Sequence, residues 1–347
     1  MKVLILGASY GSLLSTKLLM AGHDVTLICR SQTAKLINAN GTHVSLRLRG
    51  EEAFRDIHSV TLPGKVTAEA PDQVNPADFD IICLAMQEPQ YSEPSARDLM
   101  GRVAASKKPC LSIMNMPPLP YLRRINRLSK AELDACYSDP SLWADFEPGL
   151  MSLCSPDPQA FRPAGEPANV LHVGLPTNFK ASAFADANHT ALLRQLETDI
   201  AAITLDGHDV PVKLRVYDSL FVPLAKWSML LTGNFRCILP EGEQSIRDAV
   251  LGDVEASQAI YHWVDALSRQ LGAEPADQVP FEKYRVAANS LSKPSSGARA
   301  VGGGAKRIER IDRLVQMIGT EIGKNSEAVD AVVAIVDARL KQNALSA

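Results

Sequence analysis

An apolar run, Val3-Leu4-Ile5-Leu6, stops at Gly7, and a short turn, Ala8-Ser9-Tyr10-Gly11-Ser12, opens into a helix-like stretch that continues to Ala21 and ends in Gly22-His23. A strand with no polar face has to be covered on both sides, and helices packed on a parallel sheet do this. The sharp change from strand to helix therefore commits the start of the chain to the α/β class. A second run, Asp24 to Cys29, follows at the spacing of a βαβ unit.

The same alternation continues to about residue 205, with candidate strands at Lys2 to Leu6, Asp24 to Cys29, Asp80 to Met86, Pro109 to Met114 and Val170 to Gly174. His43 to about Thr67 alternates more raggedly, as an antiparallel hairpin or edge strands would. Pro117 to Pro167, rich in Pro, Asp and Ser, reads as loops and short helices over the sheet's carboxyl edge. Beyond His208 the pattern becomes helical, over Val216 to Leu231, Ser245 to Gly272, Phe281 to Asn289 and Ile308 to Ile322. The expected architecture is a dinucleotide-binding α/β domain of the Rossmann type over 1–205 and an all-α domain over 206–347, in keeping with a chain of 347 residues.

A glycine at such a turn permits positive φ and close approach of a phosphate, which the N–H groups and dipole of the following helix attract. Gly7, Ala8, Ser9, Tyr10, Gly11 and Ser12 are thus candidate dinucleotide contacts. Compared with G-x-G-x-x-G, Gly7 fits, Ser9 stands where the second glycine belongs, and Gly11 comes one residue early. At the end of the second strand, where an acid would accept ribose hydroxyls, the chain has Cys29-Arg30-Ser31. A guanidinium matches a 2′-phosphate bidentately, so Arg30 points to NADP(H).

A net charge of −3 leaves no electrostatic footprint for nucleic acid or an anionic membrane. The apolar start is too short for a signal peptide, and no run is long enough to span a bilayer, which points to the cytoplasm. The six cysteines form no CxxC pair and have no histidine at ligand spacing, so they read as buried, reduced thiols and no metal site is expected.

With Gly7 to Ser12, the phrase Ala21-Gly22-His23-Asp24-Val25-Thr26-Leu27 and Arg30, the chain resembles the ketopantoate reductases (2-dehydropantoate 2-reductases) as a divergent member. The resemblance recurs in Cys110 to Asn115, in Val222 to Asn234 and in Lys293-Pro294-Ser295-Ser296-Gly297. It implies an NADPH-dependent reductase that delivers hydride to the C2 carbonyl of a 2-oxo acid. It also implies Lys226 as general acid, Asn115 near nicotinamide and substrate, Asn234 on the substrate, and Ser295 or Ser296 on its carboxylate. A lysine in so apolar a stretch would have its pKa lowered by desolvation, which suits an acid.

Departures fall in these same motifs. Gln87 stands nearest the place of a family lysine that assists the 2′-phosphate, and Leu230 replaces a substrate-binding asparagine. Either Arg307 or Glu309 occupies the place of a family glutamate; an inward Arg307 would favour a substrate with a second acidic group. The expected partner is a small 2-oxo acid, with no nucleic acid or membrane, and a homodimer is compatible. An imine or opine-type reductase and a non-catalytic dinucleotide sensor are the alternatives.

Overall fold

A computed structural model describes residues 1–346. Its strands are, in chain order, β1 (Lys2–Leu6), β2 (Asp24–Ile28), β3 (His43–Leu46), β4 (Arg55–His58), β5 (Val66–Glu69), β6 (Ile81–Leu84), β7 (Cys110–Ser112), β8 (Met151–Ser155), β9 (Gln159–Phe161), β10 (Val170–Leu175), β11 (Phe179–Ser182), β12 (Thr204–Leu205), β13 (His208–Asp209) and β14 (Leu214–Tyr217). The helices are α1 (Gly11–Met20), α2 (Ser31–Asn40), α3 (Pro94–Ser106), α4 (Leu119–Leu122), α5 (Ala187–Ala201), α6 (Lys226–Met229), α7 (Ile246–Leu251), α8 (Val254–Leu271), α9 (Phe281–Ala288), α10 (Ser296–Gly302), α11 (Ile311–Glu321) and α12 (Glu327–Leu345). None of the described helices is long and apolar enough to cross a membrane.

The chain divides into two compact units. Unit 1 comprises 1–86, 90–121 and 141–218; unit 2 comprises 87–89, 122–140 and 219–347. The change of character read near residue 206 falls inside unit 1, in the turn of the β12–β13 hairpin.

Unit 1 is built on an eight-stranded sheet in the order β14-β11-β8-β7-β6-β1-β2-β5. All its pairings are parallel except β8 with β11. The apolar run at the start is a central strand, with Val3, Leu4, Ile5 and Leu6 fully buried between β2 and β6. Helix α1 is enclosed as well: every residue from Gly11 to Leu19 is buried, Lys17 included.

Three expectations need correction. Val170–Leu175 does not join the main sheet; it pairs with β3 and β9 in a separate four-stranded sheet, β4-β3-β10-β9. The middle segment contains a fully buried strand, β8, which pairs with β7 and β11. The stretch expected as helix from Val216 begins as β14, and the helix starts only after Pro223. The raggedly alternating segment contains both things offered for it, the β3–β4 antiparallel pair and the edge strand β5.

In unit 2 the described residues outside turns are helical apart from one isolated bridge, Ile238 with Glu243. Residues Ser245 to Gly272 form two helices, α7 and α8, with Asp253 capping the second through Ala256 N–H. The amphipathic α11 buries Ile311, Leu314, Val315 and Ile318 on one face.

Candidate functional site

In unit 1 the Gly7 turn leaves β1 with φ +110° and donates its N–H to Ile28 O at 3.0 Å. A Cβ at Gly7 would lie 2.7 Å from Met86 Cγ and 2.8 Å from Ala85 O, so both conformation and space demand glycine. Gly11 has a different task. Its missing Cβ would lie 2.7 Å from Ile5 Cγ2 and 3.3 Å from Ala85 Cβ, so here glycine lets α1 settle onto the strands. In a dinucleotide turn that is the work of the third glycine.

Ser9, at the second glycine's place, is exposed, and its carbonyl accepts from Ser12 Oγ at 2.8 Å. Tyr10 turns its ring edge-on to Phe179 and donates its hydroxyl to Pro158 O at 2.7 Å, which fixes the entry to α1. Burial pushes its phenol well above its ordinary range.

Arg30 is exposed at the end of β2, with extended backbone, immediately before α2. A cation beside a helix N-terminus attracts phosphate twice over, by charge and by dipole. Asn115 follows β7; its Oδ1 is buried with no hydrogen-bond partner among the described residues. A buried, unmatched acceptor is costly unless a ligand supplies the donor. The positive-φ glycine turn and this unmatched oxygen both fit a dinucleotide.

In unit 2, Lys226 begins α6 and is half-buried among neighbours that are fully buried. The helix does not continue as α: Leu230–Asn234 forms a π-helical turn, followed by a 3₁₀ turn over Phe235–Cys237. Leu230 is buried, and Asn234 is half-buried. Ser295 caps α10 by accepting from Ala298 N–H at 3.1 Å and donates its only hydroxyl hydrogen to Asn234 O at 2.8 Å. Ser296, the first residue of α10, is the exposed member of the pair.

Arg307 is exposed, while Glu309 is 9% exposed and accepts from Glu88 N–H at 3.3 Å. Glu88 accepts from Ser138 N–H at 2.9 Å; burial raises its pKa, against the opposing pull of Ser138 and Arg307. Gln87, next to it, is exposed. Of the residues singled out in the sequence, those from Gly7 to Ser12 gather at one turn of unit 1. Lys226, Asn234 and Ser295 gather around one helix of unit 2.

The sequence reading missed Glu88, Gly233 and Tyr284, which shape these surroundings. Gly233, directly before Asn234, was the one signal present.

Residues 3–115 match the family model described as ketopantoate reductase PanE/ApbA. Over those residues, about a third of the chain, the sequence is similar to the ketopantoate reductases. Among solved structures, a probable 2-dehydropantoate 2-reductase from Bacillus subtilis superposes with TM-score 0.64 at 15% identity, covering 98% of this chain and 100% of that one. D-mandelate dehydrogenase, solved with NADH and anilino(oxo)acetate, gives 0.65 at 14% identity, with 99% and 100% covered. A dimeric ketopantoate reductase from Staphylococcus aureus gives 0.64 at 11%, again with 99% and 100% covered. These likenesses establish a shared fold over nearly the whole chain.

Proposed function

We propose that this chain is a reductase of 2-oxo acids that uses a nicotinamide dinucleotide, NADPH in preference to NADH. The observation that carries the reading is the turn at Gly7, where positive φ and contact with Ala85 and Met86 exclude any side chain, inside the segment that matches the reductase family. The backbone of the turn from Ala8 to Gly11, at the positive end of α1, would hold the pyrophosphate, Arg30 the 2′-phosphate, and Asn115 Oδ1 a donor at the nicotinamide end.

When bound, the reduced dinucleotide supplies the hydride that adds to the substrate's C2. Lys226, as ammonium, donates a hydrogen bond to the carbonyl oxygen and then its proton to the developing alkoxide, leaving a 2-hydroxy acid. Asn234 donates to the substrate's polar groups, and Ser296 offers a hydroxyl to the carboxylate. Ser295, whose hydrogen is already given to the Asn234 carbonyl, holds that residue's backbone in place. A cytoplasmic homodimer is part of the proposal, and the dimeric relative supports the assembly.

The test is oxidation of NADPH and of NADH against a panel of 2-oxo acids including ketopantoate, with and without added amines. NADPH-dependent reduction of at least one acid without amine is expected. Activity only with amine would move the substrate to an imine. Dinucleotide binding with no turnover on any acid would make the chain a sensor.

A further inference from the structure

Successive residues of an α-helix are about 100° apart, so side chains eight positions apart are rotated by about 80°. Lys226 and Asn234 are eight positions apart. The π turn over Leu230–Asn234 changes the count, because its hydrogen bond spans one more residue than an α turn. With one residue absorbed, the eight steps act as seven, and Asn234 returns to within about 20° of Lys226. Burial agrees with this geometry: from Pro223 to Phe235, only Lys226, Met229 and Asn234 are not fully buried. In an unbroken α-helix Asn234 would lie beyond the buried Leu230, away from Lys226.

The turn has a visible cause. Tyr284 donates its hydroxyl to Met229 O at 3.1 Å, reaching the backbone where the α ladder is interrupted. A Cβ at Gly233 would lie 2.1 Å from that hydroxyl oxygen and 3.1 Å from Ile246 Cγ2, so only glycine leaves room. The Tyr284 ring is stacked on Tyr261 with centroids 5.7 Å apart, and burial keeps its phenol protonated, and so a donor, far above neutral pH. Ser295 and Cys237 bond the carbonyls of Asn234 and Gly233 on the other side.

We infer that Tyr284 and Gly233 lock a π turn that brings Asn234 onto the same helix face as Lys226, and that both are positioning residues for substrate. The alignment role rests on the reading of Lys226 and Asn234 given above; the lock itself does not.

Tyr284→Phe keeps the ring and removes the hydroxyl. It should raise KM for the best 2-oxo acid about five- to tenfold, the loss of one aligned hydrogen bond, with kcat changed less and dinucleotide affinity unchanged. In an Asn234→Ala background the same substitution should have no further effect on KM. An equal fold-loss in both backgrounds would overturn the alignment. Gly233→Ala should melt well below wild type, and Gly233→Ala combined with Tyr284→Phe should recover part of that loss, since the clashing oxygen is gone. Hydrogen exchange across 230–235, measured without substrate, should be faster in Tyr284→Phe. Unchanged exchange would overturn the lock whatever the enzyme turns over. A wild type inert on every acid would overturn the proposed function and the alignment role, while faster exchange would still support the lock.

Discussion

Lys17 carries an amine inside the core of unit 1, and its cost is measurable. The residue is fully buried in α1, and its Nζ donates to Pro211 O at 3.0 Å and Val210 O at 3.4 Å. Burial first, and Lys213 second, lower its pKa to about 7, against the opposing pull of Asp209. In the unfolded chain it returns to about 10.4. Between those values the unfolded chain holds a proton that the folded chain does not, so stability rises with pH; below pH 7 both forms are charged and the penalty is complete. The limiting slope is about 1.4 kcal/mol per pH unit, so from pH 7.5 to 9.5 the native state should gain about 2.5 kcal/mol from this group.

Lys17→Met keeps the length of the side chain and abolishes the titration. Urea unfolding followed by circular dichroism at pH 7.5, 8.5 and 9.5 gives both stability curves, and the difference between them cancels the titrating groups that Lys17 does not touch electrostatically. The offset at pH 7.5 combines a relieved charge penalty with two carbonyls left unpaired at about 1–3 kcal/mol each, so its sign is not diagnostic. The slope of the difference is. Parallel curves would refute the claim that Lys17 is neutral in the folded protein.

Lys226→Ala should cut turnover by about 10²- to 10⁴-fold, the usual contribution of a positioned acid, while dinucleotide binding, followed by fluorescence titration, stays near wild type. Arg30→Ala should weaken NADPH binding by about 10- to 100-fold, the worth of a charge-assisted contact, and leave NADH binding unchanged; equal losses for both would remove the 2′-phosphate role. Gly7→Ala meets Ala85 O and Met86 Cγ at φ +110°, and should lower stability by at least about 1–2 kcal/mol and abolish dinucleotide binding, read by thermal melting with and without NADPH.

What was legible in the sequence was what local chemistry decides. The run β1, its turn, α1 and β2 came out within a residue or so, because an apolar strand, a glycine turn and the Gly22-His23 stop each act at short range. Strand β8 did not. Met-Ser-Leu-Cys-Ser has no strong strand preference, and it lies between Pro148 and Pro156 in a polar segment. It is a strand because β7 and β11 present edges to it, a contact the sequence around it does not encode. Val170–Leu175 was recognisable as a strand but not as a member of the second sheet, since its partner β3 lies more than a hundred residues earlier. The π turn was hidden in the same way. Leu230-Leu231-Thr232-Gly233 reads as ordinary helix, and the hydroxyl that opens it belongs to Tyr284, some fifty residues on.

The glycine pattern, the weakest part of the sequence evidence, becomes coherent once each glycine is assigned its physical task. Three tasks are needed at a dinucleotide turn: a tight exit from the strand, close approach of the phosphates, and close packing of helix on strand. Gly7 performs the first. Gly11 performs the third one residue early, because α1 itself begins at Gly11, and its Cα faces Ile5 and Ala85 across gaps too small for a methyl group. Only the second task lacks its glycine, and Ser9, which stands there, is exposed rather than wedged against the sheet. The departure from the pattern is therefore confined to one side chain on the solvent side of the turn. A serine hydroxyl at that place can itself donate to a phosphate oxygen, so the substitution changes how the anion is held without closing the site.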